Sequence, residues 1–212
     1  MIGIIDYGMG NLRSVEKALE RVGATPVILR SPDELAVADK LVLPGVGAFA
    51  DGMAQLDARG WSDPIRGFIA AGRPVLGICL GMQLLFDVSA EDAPSPDQPV
   101  AGLGVLPGRV VRFQEAQPDG SRLKVPHMGW NTLDWQRDDP LLAGLEQGVA
   151  VYFVHGYYCQ PDETATPFTS ATSDYGAPFC ATVWRDNIWA TQFHPEKSQR
   201  VGLKLLQNFA DF

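Results

Sequence analysis

The chain has 212 residues, 46% hydrophobic and 20% charged, a balance that supports a buried core and excludes disordered or collagen-like classes. Its net charge of −8, with no basic run, excludes non-specific nucleic-acid binding, which needs clustered Lys and Arg. No stretch approaches the ~18 consecutive apolar residues of a membrane-spanning helix, and the opening MIGIIDYGMGN has neither the basic nor the apolar region of a signal peptide. These features predict one soluble domain over residues 1–212, located in the cytoplasm. Three cysteines, Cys79, Cys159 and Cys180, are odd in number and widely spaced, which suits a reducing compartment and leaves room for a working thiol.

In chain order, IGIID at 2–6, PVIL at 26–29, KLVLPG at 40–45 and PVLGIC at 74–79 read as short apolar strands ending in turns. Their alternation with helical patterns predicts an α/β fold with a mostly parallel open sheet flanked by helices. Leu12, Val15, Leu19 and Val22 recur at helical spacing ahead of a terminating Gly23. Residues 89–102, with three prolines and no apolar period, read as a surface connection. Further on, RVVRF at 109–113, VAVYFVH at 149–155, CATVW at 180–184 and NIWATQFH at 187–194 read as strands, with a hairpin at 184–187, so an antiparallel β extension is expected. Ser198 reads as the N-cap of a last helix whose apolar face holds Val201, Leu205, Leu206 and Phe209.

The sequence Gly77-Ile78-Cys79-Leu80-Gly81 sits between an apolar strand and a helical pattern at 82–86, which is the context of a nucleophile elbow with sulfur in place of oxygen. A turn that tight strains the central residue, and flanking glycines remove Cβ atoms that would clash. The helix that follows offers unpaired N–H groups and a positive dipole end to an anionic sulfur, and the Leu80 N–H to an oxyanion. The alternative is that Cys79 is a small buried hydrophobe at a strand end. Cys159 and Cys180 lack the glycines and read as packing residues.

A thiol that attacks an amide needs a base, later an acid, and imidazole serves as both near neutral pH. His194 ends NIWATQFH and precedes Pro195-Glu196, so an extended run would turn His194 and Glu196 to one side, where the carboxylate orients the ring. The alternative is a histidine merely satisfied by Glu196, and His155 on its apolar strand faces the same one. The three histidines are far apart and show no zinc spacing, so neither metal nor cofactor is expected.

GICLGMQ at 77–83, PGVGAF at 44–49 and FHPEKS at 193–198 resemble, in order and across essentially the whole chain, the signatures of class I (triad) glutamine amidotransferases. DYGMGNLRS at 6–14 and PHMGWN at 126–131 are similar to one branch of that family, the glutaminase subunits that feed a cyclase in histidine biosynthesis. The resemblance implies a flavodoxin-like fold and a Cys79–His194–Glu196 triad that hydrolyses L-glutamine to glutamate and ammonia. It implies an oxyanion hole from the N–H groups of Val46 and Leu80, and glutamine held near Gly47, Gln83, Glu91, Gly156 and Tyr157. It also implies a heterodimer with a (β/α)₈ cyclase through Asn11, His127, Met128, Trp130, Asn131 and Lys197, the products being imidazole glycerol phosphate and aminoimidazole carboxamide ribotide. Met9 departs from the proline common at its position. A glutaminase of another pathway, such as pyridoxal phosphate synthesis, would share the triad without PHMGWN. A binding or redox-sensing protein on the same scaffold would need neither.

Overall fold

The computed structural model describes residues 1–95, 97–116 and 120–212. Strands β1 (Ile2–Ile5), β2 (Pro26–Leu29), β3 (Lys40–Leu43) and β4 (Val75–Ile78) alternate with helices α1 (Leu12–Arg21), α2 (Phe49–Ala58) and α3 (Ser62–Ala70). β1, β3 and β4 are buried almost throughout, as strands covered by helices on both faces must be. Asn11 caps α1 by accepting a bond from the Ser14 N–H, and Gly23 leaves the helix at φ +80° while its N–H bonds Glu20 O. Helices α2 and α3, not singled out from the sequence, bury Phe49, Met53, Leu56, Ile65 and Phe68.

After β4 come the short helix α4 (Leu80–Leu84) and strands β5 (Phe86–Ser89), β6 (Val100–Ala101), β7 (Leu106–Arg112), β8 (His127–Thr132) and β9 (Asp134–Trp135). They are followed by β10 (Ala150–His155), β11 (Tyr157–Pro161), β12 (Thr169–Asp174), β13 (Pro178–Arg185), β14 (Ile188–Thr191) and helix α5 (Gln199–Asp211). The main sheet runs β2-β1-β3-β4-β14-β13-β12-β9. It is parallel from β2 to β14 and antiparallel beyond, so the first five strands have the flavodoxin-like doubly wound order. The fifth parallel strand is therefore β14, from near the end of the chain. A ribbon of β10 and β8 and a sheet ordered β11-β7-β5-β6 are built from the segment between β4 and β14.

Alternation along the strands divides the core. Leu41, Leu43 and Val75 pack with α2, α3 and α4, whereas Val42, Leu76 and Ile78 pack with Val15 and Leu19 of α1 and Leu205, Leu206 and Phe209 of α5.

Four local expectations need correction. The helix after Cys79 is Leu80–Leu84 rather than 82–86, because Phe86 already pairs with Leu106 in β5. The connection at 89–102 is shorter than expected: Ser89 closes β5 and Val100–Ala101 forms β6, while residue 96 lies outside the described residues. Strand β14 stops at Thr191, since its partner β4 ends at Ile78. Ser198 occupies the N-cap of α5 without capping it, because its hydroxyl donates to His194 O and accepts from the Tyr152 N–H.

Backbone contact around α4 is unusually close. A Cβ placed on Gly81 would lie 1.8 Å from Leu43 O, whereas one on Gly67, on the exposed face of α3, would meet nothing within 4 Å. Gly81→Ala is expected to lower the urea midpoint severely or prevent folding. Gly67→Ala is expected to raise stability by ~1 kcal/mol, the usual helix-propensity gain. Equal, small effects of the two in urea denaturation would contradict this packing.

Candidate active site

Cys79 lies between β4 and α4 at φ 54°, ψ −108°. For a residue with a Cβ such a backbone costs ~1–3 kcal/mol and persists only when its surroundings enforce it. Here the Cys79 N–H donates to Thr191 O at 2.7 Å, and its carbonyl accepts from the N–H groups of Met82 at 3.0 Å and Gln83 at 3.2 Å. A Cβ on Gly77 would press on Gly81 O at 2.9 Å, so both flanking glycines are required by close backbone approach. Helix α4 has only five residues. Its local N–H groups, more than a summed dipole, are what it offers to a negative charge.

His194 comes from the chain beyond β14, which lies parallel to β4 with Thr191 beside Ile78. The pairing with Glu196 forms, with Nδ1 and Oε1 2.8 Å apart, but not through an extended run: residues Pro195–Lys197 make a 3₁₀ turn. Since a carboxylate accepts, Nδ1 carries the proton and Nε2 is the nitrogen left for chemistry, on the side of the Cys79 sulfur. The His194 backbone is held at both ends, its N–H on Tyr152 O at 3.0 Å and its carbonyl on the Ser198 hydroxyl at 2.7 Å. Burial, the largest single influence, lowers the His194 pKa, but the neighbouring Cys79 sulfur and the Glu196 carboxylate together outweigh it and raise the value to about 9.

A cleft of about 300 Å³ is lined by Cys79, His194, Val46, Gly47, Leu80, Gln83, Glu91, Gly156 and Tyr157, together with Val154 and His155. The structure thus brings every proposed triad, oxyanion and glutamine-binding residue except Glu196 to one cavity wall, and Glu196 stands behind His194. Gly47 is at φ +104°, and the Val46 side chain is exposed. The Glu91 carboxylate accepts from the Phe49 N–H at 2.8 Å at the start of α2; burial, the leading cause, nevertheless raises its pKa. Gln83 Nε2 donates to Tyr157 O at 3.0 Å and to Gln192 Oε1 at 3.1 Å. A larger depression of about 600 Å³ beside Trp135 and Trp184 is lined by no cysteine or histidine and offers no acyl-transfer chemistry.

The other sequence-selected residues fall on a separate surface. Along β8 the side chains alternate, so Met128 and Trp130 point out with 62% and 49% exposure, opposite Val154 and Tyr152 of β10. By the same alternation His127 points inward at 4% exposure, stacked on Tyr175 and Phe153, with Nδ1 3.2 Å from His155 Nε2. Its ring is therefore not on the surface where the sequence placed it. Asn131 is half-buried and donates to Asp174 O, whereas Asn11 and Lys197 are exposed. Cys159 and Cys180 are buried, and burial pushes both thiols up, that of Cys180 to about 12. Sequence reasoning missed Gln192, Ser198 as a brace for His194, and the cleft-lining role of His155; only the position of Gln192 two residues before His194 hinted at the first.

The class I glutamine amidotransferase family model matches residues 3–211, and the chain belongs to that family. Relatives separate its branches. The chain is 57% identical to imidazole glycerol phosphate synthase subunit HisH of Syntrophotalea carbinolica, covering all of both chains, and 54% identical to HisH of Geobacter metallireducens over 99% of this chain and 97% of the relative. At that identity over full length it is a member of the HisH branch. Solved structures share the fold at low identity. One of a glutamine amidotransferase matches with TM-score 0.72 at 21% identity over 100% and 99% of the chains, and PurLQS from Thermotoga maritima with 0.75 at 18% over 99% and 97%. Among the described residues no group of three His, Cys, Asp or Glu is placed to hold a metal, and no helix is long and apolar enough to cross a membrane.

The histidines make opposite demands on pH. Burial holds His127 at about 4 and His155 at about 3, below the ordinary 6.5, so between those limits the unfolded chain binds more protons. Their contribution is present above ~6.5 and lost as pH falls toward 3. His194 lies above its ordinary value, so its contribution is complete below ~6.5 and lost as pH rises through about 9. Denaturant midpoints are expected to peak near pH 6.5; His127→Phe should flatten the acid limb and His194→Asn the alkaline limb. Limbs unchanged in both variants would refute the assignment.

Proposed function

We propose that this chain is the glutaminase subunit of imidazole glycerol phosphate synthase, acting in L-histidine biosynthesis. The observation that carries the reading is the left-handed Cys79 elbow opening into the same cleft as the carboxylate-paired His194. The Cys79 thiolate attacks the side-chain amide carbon of L-glutamine, and the resulting oxyanion accepts from the Leu80 N–H. Gly47 gives the segment at 44–47, just beyond β3, the freedom to turn the Val46 N–H toward the same oxygen. His194, protonated at neutral pH, gives its Nε2 proton to the departing nitrogen, releasing ammonia and leaving a γ-glutamyl thioester. The neutral ring then takes a proton from water, hydroxide adds to the thioester, and glutamate leaves as the thiolate reforms. Glu196 keeps the proton on Nδ1 throughout, as the third member of a triad does.

The substrate's fixed end is served by Glu91, whose carboxylate pairs with the amino group, and by Gly47, Gln83, Gly156 and Tyr157 around it. Ammonia released into water at neutral pH would be protonated and lost as a nucleophile, so the reaction calls for a shielded acceptor. We assign that role to a cyclase subunit with a (β/α)₈ barrel. The exposed apolar pair Met128 and Trp130, beside the cleft-lining Val154, supports docking there, with Asn11, Asn131 and Lys197 around it. The family match over residues 3–211 supports one amidotransferase domain for residues 1–212, and we place the enzyme in the cytoplasm.

Glutamine hydrolysis, measured with and without the cyclase subunit and its nucleotide ligand, tests this reading. Hydrolysis is expected to rise when both are present and to fall on the order of 10⁶-fold in Cys79→Ala, as for removal of a nucleophile elsewhere. Undiminished hydrolysis in Cys79→Ala would sink the mechanism. Trp130→Ala is expected to weaken cyclase binding at least tenfold by titration calorimetry, as loss of a buried aromatic anchor does, while leaving the isolated chain's fold intact.

A further inference from the structure

Gln192 has no exposed surface and no part in the reaction as written, yet it carries an amide, a group that is costly to bury unless its bonds are made. Its Nε2 lies 3.9 Å from Cys79 Sγ and its Oε1 3.1 Å from Gln83 Nε2. An amide's nitrogen and oxygen look alike in outline, but here the network leaves one assignment. Tyr157 O can only accept, so the Gln83 group facing it at 3.0 Å is the NH₂. The same NH₂ faces Gln192, which must present its carbonyl there. What remains to face Cys79 is the Gln192 NH₂.

We infer that Gln192 is a positioning residue that donates an N–H to the Cys79 sulfur, orienting the thiolate for attack while locking Gln83 with its carbonyl oxygen open to the cleft. The inference rests on Cys79 being the nucleophile of the glutaminase reading. A donor to an anionic sulfur is a charge-assisted bond, stronger than the same bond to a neutral thiol, so it favours the reactive form as well as its direction. His194 supplies the proton traffic and Gln192 supplies a second, non-titrating contact. Since Tyr157 O also accepts from the His155 ring at 2.8 Å, the main chain that anchors this relay is held on both sides.

The test uses the full chain with Gln192→Met, which keeps length and apolar fit but has no donor, and Gln192→Glu, which keeps an acceptor for Gln83 and puts a carboxylate beside the sulfur. The rate at which iodoacetamide alkylates Cys79 is read across pH without glutamine, with Cys79→Ala as blank. Buried Cys159 and Cys180 are held in the unreactive form by their surroundings. Alkylation at pH 7 is expected to slow ~3–10-fold in Gln192→Met and further in Gln192→Glu, with the curve moved to higher pH, in line with loss of one hydrogen bond to a charged group. For glutamine hydrolysis by Gln192→Glu, which keeps Gln83 locked, kcat is expected to fall ~10–100-fold with KM within about threefold, the signature of a contact that matters in the transition state. An alkylation curve that overlays the wild type in a folded Gln192→Met variant would overturn the proposal and leave Gln192 a packing residue. Should that variant not fold, a wild-type curve in Gln192→Glu overturns it equally. A shifted curve in a chain that hydrolyses no glutamine would instead uphold the contact and remove the glutaminase reading.

Discussion

The left-handed backbone of Cys79 is held in place by contacts that tolerate no side chain on either side of it. Gly81 lies so close to Leu43 O, and Gly77 so close to Gly81, that strands β3 and β4 and helix α4 form a single close-packed joint. At that joint the Cys79 N–H still continues the β4–β14 ladder to Thr191 O while its carbonyl already faces the first turn of α4, so the chain changes from strand to helix at this one residue. The strain of such a residue persists because the surrounding structure over-determines it. The direction of the nucleophile, the position of the Leu80 N–H at the start of α4 and the floor of the cleft all follow from this one turn.

The base reaches the nucleophile by topology. More than half the chain is laid out between β4 and β14 before β14 returns to complete the parallel sheet. The return is in register, so the residues after Thr191 necessarily emerge beside Cys79. From there the chain cannot wander. Pro195 opens a tight turn, Gly202 packs against Pro195 O, and the Ser198 hydroxyl links His194 to the backbone of Tyr152. Pre-organisation of this kind, carried by backbone bonds on regular elements, holds reacting groups to the small tolerances catalysis needs.

The three histidines show how environment divides a common side chain into different tasks. His155 lines the same cleft as His194, yet burial drives it to about 3 while His194 stands at about 9. The difference is the company: His194 has a carboxylate and a sulfur, and His155 has His127, a carbonyl and aromatic rings. One ring carries protons, and the other two stay neutral. As neutral rings they form a hydrogen-bonded path from the exposed ribbon of β8 and β10 to Tyr157 at the cleft.

Local patterns made much of this legible before any coordinates. The elbow, the capped first helix, the parallel strands up to β4 and the proximity of His194 to Glu196 are set by residues within a few positions of one another, where sterics and hydrogen bonding act directly on the chain. Even so, that pair is joined by a 3₁₀ turn rather than an extended run, because tertiary packing chose among conformations the local sequence allowed. The inward turn of His127, the brief span of α4 and the part of Gln192 were decided only by tertiary structure. Each depends on which strand lies next to which, and Gln192 meets Cys79 across 113 positions of chain. Periodicity shows that a side chain is buried; only the paired sheet shows what it is buried against.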